Sequence, residues 1–120
     1  MILTESEIQE AIEKATTAFP NFTDWTYNNE VNDEYLGFSL WGQYIPKPEE
    51  QMPRCFFITF DTYEENWTGH LTIGQHCYFW SSADAGDAHL LETDACKTLE
   101  DSIEALKVEI ASLFRALSST

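Results

Sequence analysis

Residues 54–80 constrain the fold more than any other stretch of this chain. Two long runs, Arg54–Tyr63 and residues 67–80, alternate apolar with polar side chains, and Glu64-Glu65-Asn66 lies between them as a turn. A period of two is the signature of a strand with one buried face. In the first run Phe56, Ile58 and Phe60 share a face, and Cys55, Phe57, Thr59, Asp61 and Tyr63 share the other. In the second, Leu71, Ile73, Cys77 and Phe79 oppose His70, Thr72, His76, Tyr78 and Trp80. The first face of each is apolar and is expected to meet helices. The second is mixed, as in a half-solvated antiparallel sheet.

The flanking sequence supplies strands before this hairpin and a helix at each end. Residues 22–29 are rich in Thr and aromatics, and residues 35–45 alternate Leu36, Phe38 and Leu40 with Gly37, Ser39 and Trp41. Prolines 46, 48 and 53 make residues 46–53 a loop, since proline cannot donate to a ladder. After a turn over residues 81–87, residues 89–93 are a candidate fifth strand. At the N-terminal end, Thr4 and Glu7 have the spacing of a capping box. Ile8, Ala11, Ile12, Ala15 and Phe19 then form one stripe of a helix over residues 4–18, which Pro20 ends. Thr98 is placed to cap a helix over residues 99–117. There Leu99, Ile103, Leu106, Ile110, Leu113 and Leu117 recur at steps of three and four. The expected architecture is a single α+β domain over residues 1–120. It is a two-layer sandwich: an antiparallel meander sheet of four or five strands, with the N- and C-terminal helices on one face.

Charge narrows the functional classes. Twenty-one Asp and Glu face six Lys and Arg, for a net charge of −15. Such a field repels nucleic acid and anionic membrane and attracts basic partners. No apolar run reaches the length of a membrane span. Met1-Ile2-Leu3 is followed at once by polar and acidic residues, unlike a signal peptide, so a cytoplasmic location is expected. The three cysteines, Cys55, Cys77 and Cys96, lack the close pairing of a zinc ribbon or disulfide framework and are expected to be reduced.

Motifs of chemistry are missing. The chain has no glycine-rich phosphate loop, no dinucleotide fingerprint and no nucleophile elbow. His70 and His76 share a strand face but stand about 20 Å apart by strand rise, too far to ligate one metal. Asp84, Asp87 and His89 share one acidic loop without the regular spacing of a calcium loop. No metal and no cofactor is expected.

Two groups of residues remain as binding candidates. Trp41, Phe57, Tyr63, Tyr78 and Trp80 form an aromatic patch on the helix-free face, where a protein, a ligand or a second copy of the chain would be met. A homodimer through this face is one way to cover it. Glu7, Glu10 and Glu13 repeat along the first helix as a row of anions. The leading expectation is a non-enzymatic acidic binding protein of the inhibitor, immunity, chaperone or mimic type that engages a basic protein surface. The alternative is a small-ligand or enzymatic role on the open sheet face, using His70, His76, Asp61 and the tryptophans.

Overall fold

The computed structural model describes residues 1–33, 35–51, 53–75 and 88–119. Helix α1 (Glu5–Ala18) is followed by strands β1 (Thr23–Val31), β2 (Leu36–Tyr44), β3 (Arg54–Tyr63), β4 (Asn66–Gln75) and β5 (Ala88–Glu92), then helix α2 (Leu99–Ser118). The five strands form one antiparallel sheet in the order β1-β2-β3-β4-β5, a meander in which every strand pairs with its neighbour in sequence. Both helices lie on one face, which is the α+β arrangement expected from the alternation.

Each helix begins where its cap dictates. The Thr4 hydroxyl accepts from the Glu7 N–H at 3.2 Å, and the Glu7 carboxylate accepts from the Thr4 N–H at 2.9 Å, so two N–H groups that a helix start leaves unbonded are satisfied. At α2 the Thr98 hydroxyl accepts from the Asp101 N–H at 3.1 Å. The apolar stripes of both helices then meet the sheet. Ile8, Ala11, Ala15 and Phe19 of α1 join Phe38, Leu40, Ile58, Phe60, Trp67 and Leu71 of the strands. Leu99, Ile103 and Leu106 of α2 complete the same cluster. Where α2 comes nearest to β4, small residues face each other: a Cβ added to Gly69 would lie 3.1 Å from both the Phe60 ring and the Ser102 hydroxyl.

Three local features depart from the simple strand pattern. The hairpin turn between β3 and β4 has two residues, since Tyr63 pairs directly with Asn66, and β4 therefore starts one residue earlier than the alternation implied. Glu64 in that turn takes φ of 58°, a conformation usually left to Gly or Asn. In β1 a bulge centred on Asp24 (φ 55°) inserts a residue between Thr23 and Thr26. In β5, Leu71 pairs with Leu91 and Thr72 with His89, so Leu90 is the inserted residue. That bulge puts His89 on the same sheet face as Glu92 while Leu91 faces the helices.

The helix-free face is less open than alternation implied. Cys55, Phe57 and Thr72 on that side are 0%, 3% and 1% exposed. Side alternation tells which way a residue points, and says nothing of what else is packed there. Among the described residues no helix is long and apolar enough to cross a membrane.

Candidate functional site

The two helices run in the same direction over the sheet. Lys14, near the C-terminal end of α1, reaches Glu100 in the first turn of α2, and Phe19 just past α1 meets Lys107 two turns further along α2. The two helices therefore point the same way but are staggered, with the start of α2 beside the second half of α1, and the acidic first turns (Glu5 and Glu7, Glu100 and Asp101) suit the partial positive charge of each helix start.

Lys14 is the cation of this layer with the most partners. Its ammonium pairs with Glu10 at 3.2 Å and hydrogen-bonds Glu100, joining helices whose sequence positions are 86 residues apart. The hydrogen bond to Glu100 raises the Lys14 pKa, against the smaller opposing effect of burial, and Glu10 adds to the rise. The same bond lowers the pKa of Glu100. One lysine thus serves two carboxylates. Around it, α1 and α2 present eight exposed carboxylates against Lys14, Lys107 and Arg115. A groove of about 450 Å³ between the helices has Glu13, Glu100 and Glu104 on its walls, with Lys14 and Lys107.

The three glutamates of the α1 row have different situations. Glu7 closes the capping box, Glu10 pairs with Lys14, and Glu13 lines the interhelical groove. The row exists, but its members at positions 7 and 10 also have local partners. The Lys14 bridge was invisible in the sequence, because nothing in it says which face of α2 would lie beside α1.

The described aromatic candidates, Trp41, Phe57 and Tyr63, do not gather into one open patch. Trp41 is half-buried, and its indole N–H has no acceptor among the described residues. Phe57, diagonal to it across the β2–β3 ladder, is buried. Tyr63 is 59% exposed but stands at the far end of β3, about 20 Å from Phe57 by strand rise. His76, Tyr78 and Trp80, with Cys77, Asp84 and Asp87, lie outside the described residues.

His70 and Asp61 do come together on that face. The two-residue turn places them diagonally across the β3–β4 ladder, and His70 Nε2 lies 3.1 Å from Asp61 Oδ2. The Ser39 hydroxyl donates to Asp61 Oδ1 at 2.7 Å. Glu92 approaches the other ring nitrogen of His70 at 4.0 Å, and the His89 ring centroid is 6.2 Å from that of His70. The hydrogen bond that His70 donates to Asp61 raises the His70 pKa despite desolvation. Burial alone would raise that of Asp61, but the bonds from His70 and Ser39 outweigh it and hold the carboxyl below its ordinary value. The order is Ser–Asp–His. A nucleophile would need the imidazole next to the serine, so this chain of bonds favours the charged form of the histidine and does not activate a hydroxyl. Among the described residues no three His, Cys, Asp or Glu side chains are gathered closely enough to hold a metal ion.

A third site was not foreseen. Past the end of α1, Phe19 and Phe22, the strand residues Tyr44 and Phe56, and Ile110 and Phe114 of α2 surround an apolar cavity of about 430 Å³. The available signal was the length of the α2 stripe, which continues beyond the width of sheet that can bury it. Comparison of the chain with family models, with curated proteins and with solved structures gave no match.

Proposed function

We propose that this chain is a non-enzymatic acidic binding protein whose helix layer engages a basic protein surface. The observation that carries the reading is the pair of parallel helices. Their outward carboxylates outnumber the cations, and one of those cations, Lys14, is already held by Glu10 and Glu100. An anionic surface built on two packed helices is rigid, so a partner's Lys and Arg side chains meet charges already in place. The net charge of −15 extends the attraction beyond contact and speeds encounter. The bonding order at Asp61 and the absence of nucleotide and nucleophile motifs weigh on the same side.

The test is affinity capture from the native lysate at low and high salt, followed by association kinetics with the partner so identified. Glu7, Glu10 and Glu13 are replaced together by Gln. Glutamine at position 7 can still accept from the Thr4 N–H, so the cap survives while the charge goes. The reading expects slower association in the triple variant and a steep fall of the wild-type rate with salt, since screening shortens the field to about 8 Å at physiological ionic strength. Equal rates for the two proteins would show that the charge serves solubility alone.

A further inference from the structure

We infer that the apolar cavity at the C-terminal end of the helix layer is a binding site for a small organic carboxylate with a hydrocarbon body, and that Lys107 receives its head. The inference is independent of the basic-partner reading and concerns the space past the end of α1, beside the second half of α2. A cavity of about 430 Å³ lies within the range of small-ligand pockets. Its walls are mostly aromatic and aliphatic, with few polar groups to orient a guest.

The charge on those walls is unusual for this molecule. In a chain with twenty-one carboxylates, no Asp or Glu among the described residues lines the cavity, and one of only six Lys and Arg does. Among the described residues Lys107 forms no ion pair. Its ammonium stands 5.8 Å from the centroid of the Phe19 ring, and both residues line the apolar space. Lys107 also borders the interhelical groove lined by Glu13, Glu100 and Glu104, yet it is ion-paired to none of them, and a cation over an aromatic wall can partner a carboxylate. Asn21 and Tyr44 add polar groups to the lining.

Other occupants fit less well. A second copy of the chain would bring another −15 against the first. A basic amphipathic segment would set like charge against Lys107, and against Arg115 in the last turn of α2. The net negative charge also opposes a free anion from a distance, but beyond about 8 Å that opposition is screened at physiological salt, so the nearby ammonium decides. Lys107 has a structural role to be separated from this one: α1 has no basic residue in its last turn, and a lysine beside that end offsets the partial negative charge of the helix terminus.

The experiment titrates the full chain with decanoate and with uncharged 1-decanol, followed by methyl resonances of Ile58, Leu71 and Ile110. Decanoate should shift these three saturably and bind about tenfold or more tighter than the alcohol, the margin expected of one charge-assisted contact. Lys107→Gln, at an exposed position, should abolish that preference and leave alcohol binding unchanged. Ala111→Trp, also exposed and on the cavity wall, should block both ligands while the melting temperature shows that the fold persists. The inference fails if decanoate gives no saturable shift, if the two ligands bind equally, or if Lys107→Gln keeps the preference. It also fails if the same resonances move on dilution without ligand, because the cavity would then be filled by a second copy.

Discussion

The two halves of α2 carry one continuous apolar stripe and meet different surroundings. In the first half Leu99, Ser102, Ile103 and Leu106 are buried against the sheet. In the second, Ile110 and Leu113 are half-buried, and Phe114 and Leu117 are 56% and 71% exposed. Periodicity of side chains is a property of the helix alone. Burial depends on what the helix crosses, and the small residues Gly69 and Ser102 draw only the first half close. The second half instead becomes one wall of the cavity.

The sharpest way to break this comparison is truncation at its buried end. Leu106→Ala should lower the unfolding free energy by about 2–5 kcal/mol, read from urea denaturation, because it leaves a hole that the close-packed sheet cannot fill. A loss below about 1 kcal/mol would mean that even the first half is loosely docked.

A substitution in the same half should act in the opposite direction. The Ser102 hydroxyl is buried and without a hydrogen-bond partner among the described residues. Ser102→Ala removes that desolvated group with little change of volume and should raise stability by about 1 kcal/mol. If it destabilises, the hydroxyl is bonded in solution.

Neither half of α2 buries a charge, so pH sensitivity near neutrality should come from the other side of the sheet. The His70 pKa is raised in the folded state. Its contribution is therefore complete below the unfolded value near 6.5 and is lost as pH rises through the folded value. Asp61 has a lowered pKa, so its contribution holds above about 4 and is lost as pH falls through the folded value. The melting temperature should decline modestly from pH 6 to pH 8, and Asp61→Asn should flatten that slope. An unchanged slope in the variant would place its origin elsewhere.

The smallest effect belongs to the free end of α2. Leu117→Ala should change stability by no more than about 0.5 kcal/mol, the range of an ordinary surface site. A cost approaching that of Leu106→Ala would show that the second half is covered in solution.

The same contrast explains what could be read before the structure was known. The caps at Thr4 and Thr98 and the bounds of β3 follow from local chemistry and were legible. The hairpin turn was read one residue too long because Glu64 holds a conformation for which its side chain gives no cue. Alternation put Asp61 and His70 on one face, but register follows from turn length, so which residues of the two strands would touch could not be derived. The Lys14–Glu100 contact was out of reach for a different reason: it depends on how two helices align across the whole sheet. Burial of Phe57 was hidden because alternation assigns sides and is silent about cover.

The meander order also sets a sequence of events in time. Each strand pairs with the one made just before it, so the sheet can grow by short loop closures as the chain emerges, without waiting for distant partners. Helix α1 is synthesised before the sheet, and its stripe has nothing to rest on until β2 and β3 supply Phe38, Leu40, Ile58 and Phe60. During that interval Ile8, Ala11 and Ala15 stay accessible on a nascent segment that also carries four glutamates. Mutual repulsion among such segments on neighbouring chains would slow their association, so the acidity of α1 protects the chain before the folded molecule exists.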